Sequence, residues 1–225
     1  MKILAIDTST FVSGVCIVED GEVISELNIN QARTHSETLL PMVKNALDYS
    51  HLTLDDMDAF AVGKGPGSFT GLRIGMTVIK TFNEVFNKKL ISVSTLEAAA
   101  NSVMEDSKIL ALIDARAERS FGARFERKNG KLIRLSEDDL FLSEDILDFL
   151  KNNPNYLICG EINEDLEELI NESEIKINFY NNKILSRLAR EIALISEDKF
   201  LREEFDEMTL APNYVRKSQA EESRM

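Results

Sequence analysis

The chain has 225 residues, 44% of them hydrophobic and 29% charged, and a formal net charge of −13. That length allows a sizeable core, in one two-lobed domain or two small ones. So acidic a balance weighs against direct, unaided binding of a nucleic-acid backbone, and no run approaches the roughly 18 apolar residues of a membrane helix.

The opening MKILAID does not read as a secretion signal, because Asp7 interrupts the apolar run after four residues. Residues 3–7 read instead as a buried strand that ends on this carboxylate. Residues 11–18 and 23–28 read as two further strands, joined by a hairpin at Asp20-Gly21. Residues 34–49 predict a helix: Thr34 and Glu37 form a capping box, and Leu39, Val43, Ala46 and Leu47 recur at helical spacing. Pro41 lies inside that pattern and predicts a kink or a later start. A short strand over 59–62 leads into GKGPGSFTGLRIG (63–75), which opens a helix over 70–86. A strand over 90–93 and a helix over 95–104 follow. The polar stretch 103–107 marks a boundary, giving lobes of 1–104 and 105–225, the last residues being free to pack back on the first lobe.

The second half repeats the first. Lys2-Ile3-Leu4-Ala5 returns as Lys108-Ile109-Leu110-Ala111, and Asp114 follows as Asp7 does. Gly122 answers Gly14, and Asn129-Gly130 answers Asp20-Gly21. Helices over 143–150 and 164–170, a strand over 156–159 and an amphipathic helix over 184–195 complete the copy. The expected fold is α/β: a duplicated ribonuclease-H-like unit, the actin-like (ASKHA) architecture in two lobes, with mixed sheets flanked by helices.

The glycine-rich stretch does not fit a P-loop, since Lys64 precedes Gly65, nor a dinucleotide fingerprint, since position 70 is threonine. A Gly-Pro-Gly loop before a helix can still bind an anion through free amides. Gly71 and Gly75 lie four apart on one helix face and together cost about 2 kcal/mol against alanine. Close packing must offset that, either inside the lobe or against another chain. The helix is apolar over most of its circumference, leaving one polar stripe of Arg73, Thr77, Lys80 and Glu84. The first helix is also widely apolar, so the expected partner surface comprises Leu39, Leu40, Met42, Val43, Gly71, Leu72, Arg73, Gly75, Met76 and Ile79.

Asp7, Thr8, Ser9 and Thr10 form either a weak or vestigial nucleotide-phosphate site or a turn held by its own side chains. Asp114 is the matching residue of the second lobe, and neither turn carries a glycine. His35 and His51 are the only histidines; His35 reads as a hydrogen-bonding residue of a helix start and His51 as an exposed helix end. No metal site and no Ser-His-Asp arrangement is expected. Cys16 and Cys159 read as reduced, buried thiols, which points to the cytoplasm.

Several segments together are similar to those of one family. ILAIDTST (3–10), HSETLLPMV (35–43), GPGSFTGLRIG (65–75), VSTLEAAA (93–100), ALIDAR (111–116) and PNYVR (212–216) resemble, in order, the signature of the bacterial TsaB, or YeaZ, family. The resemblance implies an actin-like fold and a non-catalytic accessory role in making threonylcarbamoyladenosine on tRNAs that read ANN codons. It implies TsaD as the paralogous partner, the small ATPase TsaE as a third subunit, and self-pairing when the chain is alone. tRNA would be met only through the complex. ATP and a metal would belong to partner subunits, with no cofactor in this chain. The alternatives are a stand-alone actin-fold ATPase or kinase, resting on Asp7 and Asp114, and a glycoprotease-like peptidase, which the missing zinc ligands disfavour.

Overall fold

Strand β1 (Lys2–Asp7) is buried along nearly its whole length, as a central strand covered on both faces must be. It lies antiparallel to β2 (Val12–Glu19), which continues into β3 (Glu22–Asn30) through a two-residue turn. Asp20 and Gly21 both take positive φ there, as the hairpin signal requires. The computed structural model describes residues 1–30, 35–173, 175–180 and 182–215. The predicted capping residue Thr34 and the closing Arg216 fall outside them.

Helix α1 (His35–Ser50) runs through Pro41 as one helix of 16 residues, correcting the expectation of a start after the proline. Its proline is exposed. After a single 3-10 turn, β4 (Ala59–Gly65) pairs parallel to β1 and delivers the chain to α2 (Phe69–Phe86). Ser68 caps α2 by accepting the Gly71 amide at 3.2 Å, and Asn87 ends it in the left-handed conformation. Strand β5 (Lys89–Ser94) and the short α3 (Thr95–Asn101) follow.

The second copy has β6 (Ser107–Asp114), β7 (Arg119–Lys128), β8 (Lys131–Arg134) and β9 (Asp139–Leu142). Then come α4 (Ser143–Asn152), β10 (Tyr156–Gly160), α5 (Glu164–Ser173) and β11 (Asn178–Phe179). The last helix, α6, is Leu188–Leu201, preceded by 3-10 turns.

Contacts divide the described residues into two units, those of 1–98 with 186–213, and those of 99–185 with 214–215. The first holds a sheet in the order β3-β2-β1-β4-β5. Leu4, Ile6, Val15, Ile17, Phe60 and Val62 pack against α1 and α2 to form its core. Helix α6 packs on the same sheet. Small residues let it come close: a methyl group on Gly14 would stand 2.8 Å from the Ala189 Cβ.

The second unit repeats the order as β11-β10-β6-β7-β8, with β9 added on β7. Leu110, Leu112, Tyr156 and Ile158 pack there against Ile146, Leu147 and Leu150 of α4 and Leu166 and Ile170 of α5. The duplication seen in the sequence is thus a duplication of topology. One detail of it is corrected: Gly14 pairs with Asp7, whereas Gly122 pairs with Leu112, two positions from Asp114. Ser120, not Gly122, is the register equivalent of Gly14.

Candidate functional site

In the first unit, the turn after β1 and the glycine stretch after β4 converge. The Thr8 hydroxyl donates to the Gly71 carbonyl at 2.7 Å, and the Ser68 amide donates to the Ser9 carbonyl at 2.7 Å. A methyl group on Gly71 would lie 1.9 Å from the Thr8 carbonyl oxygen, and one on Gly75 would lie 2.6 Å from the Thr8 hydroxyl. The Gly71 contact is with backbone, which cannot turn away, and the Gly75 contact is with a hydroxyl held by its bond to Gly71. The glycines therefore serve close approach within the lobe. This corrects the expectation that Gly71 and Gly75 face a partner.

Asp7 anchors the turn. Its Oδ2 accepts the Ser9 hydroxyl at 3.0 Å and the Ser9 amide at 3.4 Å. Its Oδ1 has no hydrogen-bond partner among the described residues and lies against Gly63, where a Cβ would come within 2.3 Å of it. Burial pushes the carboxyl pKa up to about 6, against the bonds from Ser9 and Thr8. Thr8, Ser9 and Thr10 are buried with it. A nucleotide phosphate needs free amide donors, but the Ser9 and Thr8 amides are turned back on Asp7. The first turn, as built, directs these two amides to Asp7 rather than outward.

The second-lobe turn is likewise closed on itself. Asp114 accepts the Arg116 amide at 2.7 Å, and the Ala115 amide donates to the Arg119 carbonyl. Arg116, Ala117 and Glu118 all take positive φ without any glycine. Nearby Glu161 is half-buried, and burial together with the Asp114 charge raises its pKa.

His35 does the hydrogen-bonding expected of it. Its Nδ1 lies 2.6 Å from the Ser13 hydroxyl, it bonds the Thr10 backbone, and burial lowers its pKa. Ser13 is only 2% exposed, so this pair ties α1 to β2 and has no open path to a substrate. His51 is exposed at the end of α1. Among the described residues no group of three or more His, Cys, Asp or Glu is placed to hold a metal ion, and no helix is long and apolar enough to cross a membrane. Cys16 and Cys159 are free and buried.

Of the ten residues expected to make a partner surface, eight are buried. Leu39, Met42, Val43, Leu72, Met76 and Ile79 are core residues at 4% exposure or less, and Gly71 and Gly75 pack inward. Their physical reason is the sheet, which takes the strongest apolar face of each helix. Leu40, at 52%, and Arg73 remain outside. The exposed residues of α1 and α2 include Leu40, Pro41, Lys44 and Tyr49 on the first helix and Arg73, Thr77, Glu84 and Val85 on the second, apolar and charged side chains together. The Arg73 guanidinium lies 3.9 Å from the centre of the Phe69 ring, which holds it on that face. Pro41, Lys44 and Val85 are missing from the sequence-based surface. Only the exact phase of each helix on its sheet would have found them.

A family model described as "TsaD: tRNA N6-adenosine threonylcarbamoyltransferase" matches residues 22–224. The chain is 30% identical over 224 residues to the tRNA threonylcarbamoyladenosine biosynthesis protein TsaB of Bacillus subtilis (strain 168), covering 98% of this chain and 96% of that protein. It is 35% identical over 150 residues to the protein of the same name from Escherichia coli (strain K12), covering 65% and 64%. Among solved structures, YeaZ from Pseudomonas aeruginosa matches with a TM-score of 0.81 at 23% identity, over 95% of this chain and 99% of that one. The activator of the 2-hydroxyisocaproyl-CoA dehydratase from Clostridium difficile, solved with bound ADPNP, matches with a TM-score of 0.52 at 12% identity, over 93% and 100%. The structural matches establish the duplicated actin-like fold.

Proposed function

The chain belongs to the TsaB (YeaZ) family, and from that premise we propose that it is a non-catalytic partner subunit in threonylcarbamoyladenosine biosynthesis on tRNAs reading ANN codons. In this reading it docks on its paralogue TsaD through the outward faces of α1 and α2, and TsaE joins the pair. Alone, two copies of the chain pair through the same faces, since a patch that fits a paralogue also fits itself about a two-fold axis. The chain holds no nucleotide or metal of its own; ATP and a metal act in the partner subunits. Its strongly acidic surface leaves the contacts to tRNA to those subunits. The setting is the cytoplasm, where two buried thiols stay reduced.

The observation that carries this reading is how the first turn is used. The hydrogen-bonding groups of Asp7, Thr8 and Ser9 brace α2 from inside. What the helix pair offers outward is a mixed face, with Leu40, Pro41, Tyr49 and Val85 among charged residues such as Lys44, Arg73 and Glu84.

Reconstitution tests it. TsaD, TsaE, tRNA, threonine, bicarbonate, ATP and the threonylcarbamoyl-adenylate synthase are combined with and without this chain. Modification of tRNA should require the chain, and the chain alone should neither bind nor hydrolyse Mg-ATP. Full modification without it, or ATP turnover by the isolated chain, would refute the reading.

A further inference from the structure

The first unit contains a fully buried carboxyl, that of Asp7, that docking does not use. Asp7 is enclosed by uncharged surroundings. Strand β2 faces it with Gly14, β4 with Gly63, and α6 closes over Gly63 with Ile192. Helix α2 meets the turn through Ser68, Gly71 and Gly75. The charged residues nearest these contacts in sequence are Lys64 on β4 and Arg190 and Glu191 on α6. None takes part in the titration of Asp7, and Arg190 faces Glu26 at 4.0 Å. On α1, His35 bonds Thr10 and Ser13, and burial lowers its pKa.

We propose that Asp7 is a pH-sensitive brace for the first turn of α2: as a neutral acid it holds Ser9 in place, and on losing its proton to solvent it loosens the seat of the helix. A buried carboxylate with one oxygen unpaired is unfavourable in apolar surroundings. Opening the turn to water relieves it. The turn carries α2's first residues, through the Ser68 amide on Ser9 and the Thr8 hydroxyl on Gly71, so opening reaches the helix directly. The opened turn ionises at the ordinary 3.8 and the closed one at about 6, so the opened population rises between about pH 4 and 6. Across the full span it rises by up to about a hundredfold.

Amide exchange of residues 68–73 in the full chain, corrected for the intrinsic rate, is measured at pH 4 and pH 7.5, with α5 as internal reference. In the wild type, protection of 68–73 should fall at least about tenfold more than that of α5. In Asp7→Asn, which keeps an oxygen for Ser9, it should not change. Wild-type protection that ignores pH, or the same loss persisting in the variant, would overturn the proposal. A carboxyl-carbon NMR titration of the wild type needs no variant. A midpoint near 6 is expected for Asp7, and one near 4 would equally overturn it.

Discussion

Thr8 and Gly71 meet backbone to backbone. The Thr8 hydroxyl donates to the Gly71 carbonyl at 2.7 Å, and only a hydrogen atom fits between the Gly71 Cα and the Thr8 carbonyl oxygen. On helix propensity alone, Gly71→Ala should stabilise α2 by about 1 kcal/mol. The contact reverses the sign, because the added methyl would sit 1.9 Å from a backbone oxygen that cannot rotate away. We expect a loss of about 2–4 kcal/mol by denaturant unfolding. Thr77→Ala, on the exposed face of the same helix, is the control and should change stability by less than about 0.5 kcal/mol.

Asp7 gives stability an unusual dependence on pH. Its folded pKa, about 6, stands above the unfolded value of 3.8. The folded state therefore binds the proton more tightly, and the contribution of Asp7 is fully present below about pH 4 and lost as pH rises through 6. The loss by pH 7.5 is about 3 kcal/mol. Asp7→Asn should be more stable than the wild type at pH 7.5 and lose that advantage near pH 4. Melting curves at the two values measure it, and a variant equally destabilised at both would show that the carboxyl is not titrating in the fold.

Much of this was legible in the sequence, for physical reasons that differ by element. Strand β1 showed as a continuous apolar run because both its faces are covered. The two hairpins showed because Asp20-Gly21 and Asn129-Gly130 are among the few pairs that accept positive φ at both positions. Two of the family segments, 3–10 and 65–75, are the turn after β1 and the glycine stretch that meet each other in the first unit. The orientation of the glycine face was not legible. Spacing puts Gly71 and Gly75 on one side of a helix, but whether that side meets the lobe's own turn or another chain is a long-range fact. The end strand β11 was missed because two residues carry no periodicity. Helix α6 was placed four residues early, because Leu185 shares its apolar spacing yet belongs to the preceding 3-10 turns.

The free edge of β5 is covered by Asp206 and Lys199. Asp206 bridges Leu90, donating its own amide to the Leu90 carbonyl at 2.8 Å, and its Oδ2 accepts the Ser92 amide at 2.6 Å. Lys199 donates to the Ser92 carbonyl at 2.9 Å. Asp206→Ala should cost about 1–3 kcal/mol and leave an exposed donor on a sheet edge. Denaturant unfolding measures the first effect and light scattering at raised concentration the second. Unchanged values in both would mean that the segment around Asp206 does not protect the edge.

The proposed docking face can be separated from the core because neighbouring residues on one helix have opposite fates. Leu40 is 52% exposed, whereas Leu39 is at 1%. Leu40→Glu and Arg73→Glu place charge on the outer face of α1 and α2 and should leave unfolding within about 0.5 kcal/mol of the wild type. Each should weaken pairing with TsaD at least tenfold, about 1.4 kcal/mol, and weaken self-pairing in parallel. Leu39→Glu buries an unpaired carboxylate and should unfold the lobe instead, abolishing pairing only through loss of structure. Calorimetric titration of folded variants against TsaD, with sedimentation of each variant alone, distinguishes the cases. Wild-type affinity in both outer-face variants would place the partner on some other surface of the chain.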